Sequence, residues 1–231
     1  HLQTIPASAF AKCSGLTGNL KIQEGITSIG SSAFSGCSGF TGVTLPESVT
    51  SIGTKAFYGC NGLTGQLVLA EGLTTIENST FYGCTGLESV VIPNSVTTIK
   101  GDAFSGCTGL KELTIPISAW YATQGNSNTG GGGPSFNNVE RIETLHYTVG
   151  NGTVYTPESH YTLKSASIKT IIFDDSIENL YNGVCDYSGF TVVPKLSVVR
   201  TELSEEGTIF ELPSHLQTIP ASAFAKCSGL T

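Results

Sequence analysis

The segment SVTTIKGDAFSGCTGLKELTIP, residues 95–116, decides the fold. Its apolar side chains are Val96, Ile99, Ala103, Phe104, Cys107, Leu110, Leu113 and Ile115. Leu113 and Ile115 alternate with Thr114, the period of a strand that turns its aliphatic residues inward and its threonine outward. Ala103 and Cys107 stand four apart, and Phe104 and Cys107 three apart, which predicts one short helical turn with a single inward face. Asp102 is placed to cap that turn and Gly106 suits a tight exit from it. Pro116 lacks an amide donor and so halts the strand ladder.

The pattern recurs to the N-terminal side. Equivalent turns end at Cys13, Cys37, Cys60, Cys84 and Cys107, an almost constant interval in which a longer coil alternates with one shorter by a single residue. Equivalent strands are expected at 20–22, 43–45, 67–69 and 90–92, with Ser8, Ser32 and Ser79 in the capping place. The longer coils carry one added residue near Gly18 and Gly65, where a bulge is expected. A fixed period of roughly 20 to 50 residues marks a solenoid, since one coil cannot bury its apolar side without stacking on neighbours. A second, much longer period lies over the first: residues 1–17 return letter for letter as residues 215–231. Together with the absence of methionine from all 231 residues, this suggests a piece of a longer tandem array.

After Pro116 the regularity breaks. Residues 117–165 read as an irregular insertion: a loop over 123–135 with four successive glycines, then a hairpin in which two β-rich runs, 146–149 and 153–156, flank Asn151-Gly152. In 166–231 a degenerate coil comes first, with Ile171 and Phe173 in the places of Val90 and Ile92. Regular repeats resume by Leu212-Pro213, and 215–231 restarts the long unit. The division is therefore 1–116, 117–165 and 166–231.

A chain that is 39% hydrophobic and 13% charged has the composition of a folded protein. Its net charge of −7, without a basic cluster, argues against nucleic acid or an anionic membrane surface as partner. No apolar run approaches the roughly 20 residues that cross a bilayer, so no membrane insertion is expected of this fragment.

The string Leu-x-x-Val-x-Ile-Pro-x-Ser-Val-x-x-Ile-x-x-x-Ala-Phe-x-x-Cys, at residues 87–107, resembles the BspA-like leucine-rich repeats of bacterial and protist surface proteins. The resemblance implies a leucine-rich-repeat solenoid: a parallel β-sheet with short helical or 3-10 turns, here interrupted by the irregular loop and hairpin. It also implies a secreted or surface-attached protein that binds host or microbial macromolecules. No catalytic residues come with it.

Seven cysteines invite a disulfide reading. Cysteines at equivalent places in stacked coils would lie about 5 Å apart with parallel rather than converging Cβ directions, so buried free thiols are expected instead. Whole-coil intervals and the absence of C-x-x-C leave no zinc spacing. His146 and His160 have neither paired metal spacing nor a nucleophile motif beside them. No enzyme, metal or cofactor is expected.

The candidate binding surface is the outward row of the sheet: Lys21, Thr44, Val68, Val91 and Thr114. Val68 and Val91 are neighbouring apolar residues on a face that should be wet, which reads either as a patch for a partner or as plain β-propensity. Trp120 and Tyr121 form a second candidate, read either as aromatic anchors or as a plug over the interrupted coil. The leading expectation is an extracellular adhesive or ligand-binding module; the other is a structural spacer whose units, as partners of one another, assemble head to tail by coil stacking.

Overall fold

Stacking of the coils buries one continuous core in the computed structural model, which describes residues 2–116, 119, 136, 138–151, 170–174 and 197–198. Each coil contributes a longer strand, and these are β2 (Gly18–Lys21), β4 (Phe40–Thr44), β6 (Gly65–Val68), β8 (Leu87–Val91), β10 (Glu112–Pro116), β11 (Thr144–Thr148), β12 (Thr170–Phe173) and β13 (Ser197–Val198). A shorter strand ending in isoleucine occurs in the early coils: β1 (Thr4–Ile5), β3 (Ser28–Ile29), β5 (Ser51–Ile52), β7 (Thr75–Ile76) and β9 (Thr98–Ile99). Every strand pairing is parallel, as a succession of stacked coils requires.

The longer strands form two sheets rather than the single one expected. β6, β8, β10, β11, β12 and β13 make a six-stranded sheet, while β2 and β4 pair only with each other. The expected inward residues are buried in the larger sheet, where Leu67, Val90 and Leu113 are all at most 1% exposed. In the smaller one Leu20, Val43 and Leu45 are only partly buried, because the strand ladder is interrupted between β4 and β6. The register slips at the two expected glycines: Gly18 pairs with Phe40 while Asn19 pairs with Gly42, and Gly65 pairs with Leu87 while Gln66 pairs with Ser89.

The phenylalanines make the internal ladder. Rings of Phe10, Phe34, Phe57, Phe81, Phe104 and Phe136 stack successively with centroids 5.2–5.4 Å apart. The short helical turn expected around each ring is not formed. The residue before the alanine has a left-handed backbone instead, with φ of 57° at Ser8, 56° at Ser32, 54° at Ser79 and 57° at Asp102. These residues therefore do not act as helix caps, which need an extended backbone. Gly36 closes the turn at φ 74°. Between the two left-handed residues, alternate amides bond within the turn and across to the next coil. Cys37 N–H donates to Phe34 O at 3.1 Å, whereas Ser32, Phe34 and Gly36 N–H donate to Thr54, Ala56 and Tyr58 O at 2.9, 2.8 and 2.7 Å. The turn is thus a third ladder of the solenoid, and this pairing rather than a helix satisfies its buried amides.

The thiols complete it. Cys37, Cys60, Cys84 and Cys107 donate to the carbonyl oxygens of Phe10, Phe34, Phe57 and Phe81 in the preceding coil, at 3.0, 3.1, 3.3 and 3.2 Å. All four are free and buried, and Cys13 is half-buried; Cys185 and Cys227 lie outside the described residues. Burial pushes the thiols of Cys60 and Cys107 up to about 12, and those of Cys37 and Cys84 also rise, against an ordinary value of 9.0. A proton held more tightly in the folded than in the unfolded chain stabilises the fold below pH 9 and ceases to do so as pH rises toward 12. Stability measured by urea unfolding should accordingly be level below pH 9 and decline above it. A flat profile to pH 11 would contradict the donor role. Alkylation of the native protein should modify Cys13 well before the other four.

The segment expected as an irregular insertion returns to the solenoid earlier than the sequence suggested. Phe136, Val139, Ile142, Leu145 and Tyr147 repeat the places of Phe104, Cys107, Leu110, Leu113 and Ile115 at one constant interval, and all are buried. Asn138 takes the left-handed place of Gly106, with φ 58° against 75°. Thr144–Thr148, expected as the first arm of a hairpin, is instead strand β11, with β10 on one edge and β12 on the other. With both edges occupied in parallel, it has no edge left for an antiparallel arm; residues 153–156 lie outside the described residues. Past β11 the chain is pinned to an earlier coil: Thr148 Oγ1 donates to Asn94 Oδ1 at 2.6 Å and Asn151 N–H to Asn94 O at 2.8 Å. The degenerate coil keeps the expected register, since Leu145 pairs with Ile171 and Tyr147 with Phe173.

Candidate ligand-binding face

The outward row is set by strand alternation. Flanking residues are locked inward, with Leu67 and Leu69 at 1% and 3% exposure, so Val68 between them must point away from the core and is 52% exposed. Register carries the row on: Val68 pairs with Val91, Val91 with Thr114, Thr114 with His146, and His146 with Ile172. At strand spacing these five positions span about 19 Å. Val91, Thr114, His146 and Ile172 are half-buried.

Two expected members stand apart. Lys21 and Thr44 are exposed and paired with each other, but on the separate β2–β4 sheet. Thr44 Oγ1 accepts a hydrogen bond from Asn19 Nδ2 at 3.1 Å. Trp120 and Tyr121 lie outside the described residues.

The row also includes a residue that sequence reading left as ordinary surface polarity. His146 sits between Thr114 and Ile172, and burial lowers its pKa while the Asp174 carboxylate opposes the shift. The imidazole is therefore neutral at neutral pH, keeping this end of the row uncharged. The signal that would have found it is the repetition of Phe104-x-x-Cys107-x-x-Leu110-x-x-Leu113 in Phe136-x-x-Val139-x-x-Ile142-x-x-Leu145. Beside the apolar row runs a polar one, in which Gln66 Nε2 reaches Ser89 Oγ at 3.5 Å. Lys111 Nζ lies 3.4 Å from Glu88 Oε1 near the strand entries, an exposed pair worth little to stability.

Among the described residues no group of three or more His, Cys, Asp or Glu side chains is disposed to hold a metal ion. No helix there is long and apolar enough to cross a membrane.

The coil geometry, with its phenylalanine ladder and thiol-to-carbonyl bonds, falls within residues 3–125, which match the BspA type leucine rich repeat region in six copies. The chain belongs to this leucine-rich repeat family. Among solved structures it is similar to a leucine-rich repeat protein from Bacteroides ovatus, with a TM-score of 0.54 and 24% identity over 77% of this chain and 48% of that one. That likeness concerns the fold. It is also similar to a leucine rich cell surface protein from Faecalibacterium prausnitzii, at 33% identity and a TM-score of 0.49, covering 56% of this chain and 32% of that one. The leucine rich repeat protein of T. pallidum matches at 24% identity and a TM-score of 0.47, over 63% of this chain and 66% of that one. The repeat chain thus spans less than half the length of the first two proteins. Comparison with curated proteins finds no match.

Proposed function

We propose that the chain is a non-enzymatic module, extracellular or at a cell surface, that binds macromolecules of host or microbial surfaces through the outward row of its six-stranded sheet. The observation that supports this reading is Val68, half exposed beside Val91 in a row that β11 and β12 prolong with His146 and Ile172. A row of apolar side chains held by a rigid sheet gains free energy when a partner covers it, with little ordering cost on the solenoid side. The extracellular placement follows the family motif at residues 87–107.

Val68→Glu combined with Val91→Glu should weaken binding to immobilised extracellular-matrix proteins and cell-surface glycans at least about tenfold. The melting temperature should move by no more than about 2 °C, since both side chains leave the core. Undiminished binding to every probe that the parent chain binds would overturn this reading.

A second reading, that of a structural unit assembling head to tail by coil stacking, is favoured by the first coil. Phe10 and Leu16 are each 41% exposed, whereas their counterparts one coil on, Phe34 and Phe40, are 2% and 5% exposed.

A further inference from the structure

The first coil turns an apolar, unpaired side outward. Among the described residues the outer edge of β2 pairs with no strand, and Leu20 on it is only partly buried. Phe10, the last ring of the internal ladder, stacks on Phe34 alone among the described residues and stays 41% exposed on its other side. Such an edge is a template for a further strand.

The long period names a strand for it. Residues 208–213, TIFELP, directly precede the second copy of the first coil apart from Ser214. Carried back by one such period, Phe210, Glu211 and Leu212 precede Leu20, Lys21 and Ile22 by one longer coil. The same interval separates Val43, Thr44 and Leu45 of one coil from Leu67, Val68 and Leu69 of the next. The sequence form agrees too, since TIFELP ends in the same leucine-proline as GVTLP at residues 42–46.

We propose that residues 208–213 of a second copy of this chain seat against the open edge of β2, Phe210 beside Leu20, Glu211 beside Lys21 and Leu212 beside Ile22, in the register in which the repeat sets Val43, Thr44 and Leu45 against Leu67, Val68 and Leu69. This contact rests on the head-to-tail reading and gives it a register. Strand alternation sends Phe210 and Leu212 to the apolar side, toward the face left open at Phe10 and Leu16. Glu211 then stands on the outer side opposite the exposed Lys21, and opposite charges facing each other across a strand pair favour that register over its neighbours. In the second copy the strand leads into residues 215–231, identical to residues 1–17, so either copy of the coil can occupy the place beneath it, an exchange of the domain-swapping kind.

Sedimentation equilibrium of the 231-residue chain over a range of concentrations tests the contact. Self-association is expected, weakened about tenfold by Lys21→Glu or by Glu211→Lys and largely restored when both are combined. Because Lys21 is exposed, each variant should keep the parent's circular dichroism and melting curve. A chain that stays monomeric at every concentration would overturn both the contact and the head-to-tail reading. Association that ignores both charge reversals would overturn this register while leaving end-to-end stacking in another one.

Discussion

Replacing Phe57 by alanine is expected to lower the unfolding free energy by about 3–5 kcal/mol, among the largest effects of any single side chain here. The ring is fully buried and stacks on Phe34 and Phe81 at 5.4 Å on both sides. Its removal leaves a cavity bounded by two rings that belong to different coils, and those coils are held apart by backbone ladders that cannot close to fill it. In a solenoid, stability is nearly a sum of neighbour contacts, so the loss weakens the interfaces on both sides of one coil. Urea denaturation followed by circular dichroism measures it, and hydrogen exchange should locate the loss on both sides of that coil. Phe10→Ala is the internal comparison: with the ring 41% exposed, the change should cost well under half as much. Equal costs at Phe57 and Phe10 would contradict the ladder as a stabilising element.

Gly62→Ala should cost about 3 kcal/mol or more. A Cβ at this position would collide with Ser38 O and lie 2.8 Å from Phe40 O, both backbone atoms of the preceding coil that no rotamer change can withdraw. The coils would have to separate, straining the neighbouring inter-coil hydrogen bonds. Two other glycines distinguish close approach from backbone conformation. At Gly59 a Cβ meets nothing within 4 Å, but φ is 67°, so alanine there should cost only the left-handed penalty of about 1–2 kcal/mol. Gly15 holds the place of Gly62 in the first coil and a Cβ there also meets nothing within 4 Å, so alanine should be tolerated. Chemical denaturation of the three variants should rank them Gly62, Gly59, Gly15. A Gly62→Ala protein as stable as the Gly15→Ala protein would refute close coil approach as the reason for glycine after Cys-x.

Much of the architecture was legible because a repeat states its own rules several times. The inward places of Phe104, Cys107, Leu113 and Ile115 follow from spacing, and their recurrence once per coil requires stacked parallel strands whatever the local propensities. The free state of the four buried thiols was legible as well, since equivalent places in parallel coils direct Cβ atoms alongside rather than toward one another. The outward direction of Val68 and Val91 came from the same alternation.

Tertiary contact decided the rest. Ala-Phe-x-x-Cys has helical spacing, yet the segment between Ser32 and Gly36 is drawn into inter-coil hydrogen bonds that an α-helix would keep within itself; the energy of that pairing outweighs a helix too short to nucleate alone. The thiol-to-carbonyl bonds reach from one coil back to the one before it and leave no local trace. Residues 144–148 alternate as any strand does; whether they form a hairpin or the next parallel strand depended on a distant partner, Glu112–Pro116, and that pairing is what brought His146 into the row. The same holds for the separation of Lys21 and Thr44 from Val68, which follows from a ladder interrupted between β4 and β6. Periodicity within one chain therefore determined which residues face inward and outward, while the hydrogen-bond partners, and with them the continuity of each surface row, were chosen only when the coils stacked.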